Sequence, residues 1–307
     1  MAPRDRHCAT NPMNATRARA KTFPAAAPLA VLLVAMISIQ VGAALAKTLL
    51  PVVGASGAAA LRLAFASLML LVVWRPWRAR PRGKALLSVV VYGSAMGAMN
   101  LLFYCSLRTI PLGIAVALEF TGPLAVAMAA SRRALDFLWV LLSALGLVLL
   151  LPLKSAVGAL DPAGIGYALA AGACWALYII FGRRAGVEHG GGTAALGMLV
   201  GAALIVPIGA ASVGARLWSP ALWPVAIGVA FLSSALPYSL EMFALTRLPT
   251  RTFGVLMSAE PAVAALSGLY FLGERLSAPQ WFAIACIMVA SGGSAATIAP
   301  AVDPLPD

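Results

Sequence analysis

The sequence predicts an all-α integral membrane protein, with ten transmembrane helices arranged as two inverted five-helix repeats. Three observations carry that expectation: an apolar composition, ten long apolar runs separated by short breaks, and an internal repeat spanning both halves of the chain. Hydrophobic residues make up 62% of the 307 positions and charged residues 10%, with a mean hydropathy of +0.93. A soluble domain needs polar faces at helix or strand period, and these runs lack them. Each is long enough to cross a hydrocarbon core of ~30 Å. A transmembrane barrel would instead show ~10-residue alternating segments, whereas "DFLWVLLSALGLVLLLPL" is apolar on every side.

In chain order the runs lie near 28–46, 57–74, 85–106, 112–130, 135–152, 162–181, 193–213, 222–244, 252–271 and 280–299. A basic tail, 1–27, precedes them. The motif "RARAK" followed by a run ending "ALAK" has the outline of a secretory signal. The run from Pro28 to Ala46 exceeds a usual signal core, so it is expected to stay as the first helix. The first repeat then covers 28–155, the second 161–299, and a short tail 300–307 closes the chain.

Orientation follows from Lys and Arg in the short loops. With a cytoplasmic N-terminus, sixteen fall inside, in clusters such as Arg75 to Lys84 and Arg132–Arg133. Five fall outside: Lys47, Arg108, Lys154, Arg216 and Arg275. Both termini are therefore expected in the cytoplasm. The same distribution explains the basic balance without nucleic acid.

The repeat is ungapped over "LRTIPLGIAVALEFTGPLAVA" and "LTRLPTRTFGVLMSAEPAVA" in its anchor positions. Leu107 pairs with Leu245, Pro111 with Pro249, Pro123 with Pro261 and Asp136 with Glu274. "GAAALRLAFASLMLL" and "GTAALGMLVGAALIV" extend it upstream. Because five is odd, the second copy enters the membrane inverted, an architecture of transporters whose substrate site lies near the midplane between the halves.

Two acids lie at that depth. Glu119 is eight residues past Pro111 and Glu260 eight past Thr252, which puts each ~12 Å from opposite surfaces. A charge there costs at least ~2.5–3.5 kcal/mol, and a carboxylate withdrawn from water is suited to exchanging a proton near neutral pH. Proton or substrate coupling stands beside the plainer role of gluing helices together. Pro123 and Pro261, beside the acids, each remove a backbone donor and mark a helix break or kink. Arg62, the basic residue within a span, suits a buried Glu or a substrate carboxylate, or snorkels to the surface. Glu241 is expected to pair with Arg247. Gln40, Asn100, Tyr104, Trp175, Tyr178 and Tyr238 are cavity candidates, although interfacial belts also use Trp and Tyr. Gly93-xxx-Gly97 and Gly197-xxx-Gly201 read as close helix packing.

Other chemistries find no motif. There is no G-x-x-x-x-G-K-[ST], no H-E-x-x-H, and the four cysteines have no metal-ligand spacing. Neither ATP, metal nor another cofactor is expected.

The stretches "EFTGPLAVA", "SRR" with "DFLWVLLSALGLVLLLP", and "SLEMFALTRLPTRTFGVLMSAEPAVAALSGLYFLGE" resemble the EamA family of the drug/metabolite transporter superfamily. Within it they are most similar to the bacterial inner-membrane threonine/homoserine exporters, from about residue 28 to 297. The closing Gly273-Glu274 is characteristic of the family's second copy; the first copy departs from it, with Ala134 to Asp136 there. The resemblance implies ten helices in two inverted repeats, cytoplasmic termini and efflux of small hydrophilic metabolites, such as threonine or homoserine, driven by protons. An exporter of another metabolite or drug, and a membrane-embedded lipid-modifying enzyme, are the competing readings. Oligomeric state is not legible.

Overall fold

A computed structural model describes residues 26–75, 83–129, 134–150, 160–189, 192–245 and 256–297. Both expected tails, and with them loop residues such as Arg132, Arg133, Arg247 and Pro249, lie outside these. The described residues are helical, with no strand among them. The helices are α1 (Ala26–Trp74), α2 (Lys84–Ser106), α3 (Leu112–Glu119), α4 (Thr121–Ala129), α5 (Ala134–Leu150), α6 (Pro162–His189) and α7 (Gly192–Val213). After two short 3-10 turns come α8 (Trp223–Ala230), a π turn (Phe231–Ala235), α9 (Leu236–Leu245), α10 (Glu260–Leu272) and α11 (Ala278–Thr297). Among the described residues, five stretches are long and apolar enough to cross a membrane: Ala27–Trp74, Leu86–Ser106, Pro162–Gly182, Gly192–Trp218 and Pro220–Tyr238. Leu112–Val126, Phe137–Leu149 and Glu260–Leu272 are shorter apolar helices.

The breaks differ from expectation in informative ways. The chain does not leave the helix at Ala46. It runs on through Lys47 and Pro51 to Gly54, where φ 65° and ψ −179° interrupt α1. A residue without a Cβ takes that conformation at little cost. Nor does Pro261 bend the middle of a helix, because α10 begins at Glu260 and Pro261 sits in its first turn. There the missing N–H would have had no partner anyway. Pro123 likewise lies just after the turn residue Phe120, which separates α3 from α4.

Large apolar side chains such as Val72, Phe137, Leu141 and Phe282 face outward. Ala, Gly, Leu and Ile fill the interior. This is the arrangement of a helix bundle in lipid, where close backbone approach replaces the hydrophobic drive of a water-soluble core. The two small-residue motifs meet across α2 and α7: a Cβ on Gly93 would lie 2.6 Å from the Gly197 carbonyl oxygen, and one on Gly97 would lie 3.0 Å from the Gly201 Cα.

Pairings follow one scheme. The half of α1 beyond Gly54 packs on α7, with Ser56 and Ser212 hydroxyls 2.6 Å apart. α3 packs on α10, where Gly113 abuts Ala265, and α5 packs on α11, where Gly146 abuts Ala283. The first half of α1 packs on α8, the π turn and α9, while α6 packs on α2. α6 also crosses α3 and α4 closely, because Gly122 and Gly172 bring the backbones together. The Asp161 carboxylate receives N–H bonds from Ala163 and Gly164 at the start of α6. The Thr109 hydroxyl and these amides hold its carboxyl below the usual carboxylate range.

α3 and α10 run antiparallel, pinned at one end by Glu274. Gly273, in the left-handed region, ends α10 and turns the chain back. One Glu274 oxygen then accepts from Lys47 Nζ at 2.6 Å, and the other from the Leu112 amide at 2.8 Å. Leu112 opens α3, and its N-cap, Pro111, offers no side-chain acceptor. Glu274 fills that role from 162 residues away. Lys47 Nζ also donates to the Ile110 carbonyl at 2.9 Å.

Two stability changes follow. Gly172→Ala should cost about 1–3 kcal/mol, because its Cβ would lie 2.7 Å from the Glu119 carbonyl oxygen, a backbone atom; the readout is the unfolding temperature in detergent. Glu274→Ala should lower that temperature more than Glu274→Gln, which keeps an acceptor for Leu112 while losing the ion pair. Equal losses would mean that the cap contributes nothing.

Candidate functional site

α3 ends at Glu119 and α10 begins at Glu260, so the two interrupted helices deliver their acids to the same place. That place is a cavity of about 260 Å³. Its walls come from α1 (Ile39, Gln40, Ala43, Arg62), α2 (Met99, Asn100, Phe103) and α3 with its following turn (Val116, Glu119, Phe120). Trp175 and Tyr178 of α6, Ser233 of the π turn, Tyr238 and Glu241 of α9, and Met257 and Glu260 complete it.

Both acids are nearly withdrawn from solvent, at 8% exposure for Glu119 and 5% for Glu260. Gln40 Nε2 donates to Glu260 Oε1 at 2.8 Å. The other oxygen of each side chain, Gln40 Oε1 and Glu260 Oε2, is buried with no protein partner. Glu260 sits at the positive end of α10, a favourable place for a carboxylate, whereas Glu119 closes α3 at its negative end. Pro123 has no N–H to give the Glu119 carbonyl one turn earlier. α6 packs onto that carbonyl at Gly172.

Arg62 does not snorkel. It faces the cavity, where Nη2 donates to the Ser233 carbonyl at 3.1 Å and Nη1 to the Tyr104 hydroxyl at 3.4 Å. That carbonyl belongs to the π turn, where the Leu236 N–H reaches back five residues to Phe231, and Pro237, just beyond, has no N–H to give. The neighbouring Leu232 carbonyl accepts from the Ser38 hydroxyl at 2.7 Å.

Of the sequence candidates, Gln40, Arg62, Asn100, Trp175, Tyr178, Tyr238, Glu119 and Glu260 come together at the cavity. Tyr104 does not line it; fully buried, it stands behind Arg62. Trp175 and Tyr178 are not belt residues, since Trp175 packs edge-on against Phe120 and Tyr178 stacks on Tyr92 with ring centres 4.7 Å apart. Asn100 turns back on its own helix, donating to the Met96 carbonyl at 2.9 Å. Glu241 was expected to face Arg247, which lies outside the described residues. Glu241 lines the cavity, one turn after Tyr238, and makes a third acid there. Its three-residue spacing from Tyr238 was the available signal. Ser233 was also missed, and the Ser233 to Pro237 spacing was its signal.

Charge in the cavity is unbalanced and unpaired. Its lining holds three carboxyls and one guanidinium. Among the described residues the ion pair is Lys47 with Glu274, not one between these groups. Such a chamber can bind an ammonium group, a carboxylate or a proton.

Comparison with known proteins places the chain in a family. Residues 162–294 match the EamA-like transporter family. The chain is 56% identical over 278 residues to the threonine/homoserine exporter RhtA of Escherichia coli K12, covering 91% of this chain and 94% of that protein. It is equally identical, with the same coverage, to RhtA of Salmonella typhimurium LT2. An uncharacterized transporter of Bacillus subtilis, YwfM, is 30% identical over 139 residues, 42% of this chain and 44% of that protein. A solved crystal structure, 19% identical, superposes with a TM-score of 0.58 over 88% of this chain and 96% of its own, which establishes likeness of fold. With apolar helices of spanning length, a buried polar chamber and relatives matched nearly end to end, the chain is a multi-pass membrane protein and belongs to the EamA-like transporter family.

Proposed function

We propose that the protein is a secondary exporter that carries small amino acids of the threonine and homoserine type out across the bacterial inner membrane by proton antiport. The observation that carries this reading is the pair of carboxyls, Glu119 and Glu260, at the ends of two interrupted helices in one cavity. The exporters that share 56% of its sequence supply the cargo class. A cavity of about 260 Å³ suits a small metabolite; drug-sized ligands usually occupy ~300–1,000 Å³. That favours an amino acid over a drug.

The architecture in this reading is ten transmembrane helices in two inverted repeats, with both termini cytoplasmic. α1 supplies two of them, on either side of Gly54; α3 with α4, and α8 with α9, supply one each. The turns at Phe120 and Ser258 support the repeat, falling at the same offset as the paired prolines. So do the pairings, because α3 packs on α10, its own repeat mate, and α5 on α11. The α1 contact with the α8–α9 segment is mirrored by the α6 contact with α2. Such symmetry lets two halves rock about a central site.

The mechanism needs no step beyond competition. From the cytoplasm, the substrate ammonium displaces a proton from the carboxyls and takes their charge. On the far side a proton from outside displaces the ammonium, and the neutralised site returns. Uphill export is thereby tied to the inward proton gradient.

In cells loaded with labelled threonine, the protein should speed efflux, and an uncoupler should abolish that gain. Glu119→Gln and Glu260→Gln should reach the membrane at normal levels yet lower efflux roughly tenfold or more, the scale of one lost charge-assisted contact. Wild-type efflux from both variants would retire the coupling role. Efflux of other metabolites but not threonine or homoserine would move the cargo within the same fold.

A further inference from the structure

Arg62 is a partly buried cation that makes no ion pair among the described residues. It is the basic residue in the cavity lining, and no carboxylate of the described residues lies within ion-pair distance of it. A guanidinium has five N–H donors. Two are engaged, by the Ser233 carbonyl and the Tyr104 hydroxyl. The Nε–H is buried with no protein partner.

The anchoring is specific and has its own cause. The π turn and Pro237, which has no N–H, loosen the helix ladder here, and the Leu232 and Ser233 carbonyls accept from side chains of α1, Ser233's from Nη2. The Tyr104 ring lies 5.8 Å from the guanidinium carbon and holds its other arm. Gly42 allows α1 to approach the π turn closely enough for this, since a Cβ there would lie 2.9 Å from the Ser233 amide nitrogen. Neither partner neutralises the charge. Holding a guanidinium partly out of water is costly without an anion, and a guanidinium fork suits planar, two-point recognition of a carboxylate.

We infer that Arg62 is the receptor for the cargo's carboxylate, and that Tyr104 and Pro237 are positioning residues that hold its guanidinium in the cavity lining it shares with the acids. This deepens the amino-acid reading of the preceding section and rests on it. The cargo class narrows to zwitterions with a free carboxylate. The ammonium goes to the acids and the carboxylate to Arg62, so neither an amine nor an amide satisfies the site.

The test uses the protein in proteoliposomes, with labelled L-threonine exchange as the readout. L-Threonine amide and 1-amino-2-propanol, which keep the ammonium and hydroxyl but lack the carboxylate, should compete at least about tenfold less well than L-threonine, as a site built to bond a missing group demands. In Arg62→Gln the difference between threonine and its amide should disappear, a signature that a merely structural role would not produce. Arg62→Lys, which keeps charge but loses the fork, should raise KM. Tyr104→Phe and Pro237→Ala should raise KM with little change in maximal rate.

Equal competition by threonine and its amide on the unaltered protein overturns the inference, whatever the variants do. A maximal-rate loss with unchanged KM in Tyr104→Phe and Pro237→Ala overturns the positioning roles. If threonine is not exchanged, the same acid and amide pairs are run for a panel of amino acids. Discrimination there fails the threonine cargo but upholds the receptor; threonine exchange without discrimination does the reverse.

Discussion

In a bilayer every backbone N–H and C=O must find its partner within the protein. That constraint makes each interruption of a helix expensive, and here the interruptions gather. The turns at Phe120 and Ser258 and the π turn at Phe231–Ala235 all border one chamber. Each released carbonyl is met by something specific: Ser38 reaches Leu232, Arg62 reaches Ser233, and α6 closes on Glu119 at Gly172. The polar site is therefore less an insertion into an apolar bundle than the place where the bundle's own backbone opens.

Small residues make that opening possible elsewhere. Where α2 meets α7, and where α3 and α4 cross α6, glycine lets backbones touch. The space saved there is regained at the centre, where Trp175, Tyr178, Tyr238 and Phe103 surround the acids. The bundle thus combines tight seams with a polar cavity at its middle.

Much of this was legible in the residues. An acid inside an apolar run is expensive, so Glu119 and Glu260 stand out, and the Gly-xxx-Gly pairs announce a seam that does form. Three things escaped. The exit from the first span was set at Lys47 because a charge usually ends an apolar run, yet α1 continues to Gly54, where a glycine allows the break and Lys47 finds Glu274. Glu241 escaped because one extra residue in a π turn rotates everything after it by about 100°, so regular helical spacing misplaces its face. Tyr104 was the right residue with an indirect role, since its contact with Arg62 spans 42 positions that no local pattern connects. Local chemistry can be read along a chain, whereas contacts between distant positions appear only on folding.

The junction at Glu274 bears on movement. It joins Lys47, Ile110 and the first amide of α3 at the end of the α3/α10 pair away from the acids. Any motion that parts those helices at that end strips the cap from α3 and leaves a lysine and a glutamate without each other. Parting the helices there therefore costs an uncapped helix start and two partly buried charges left unpaired.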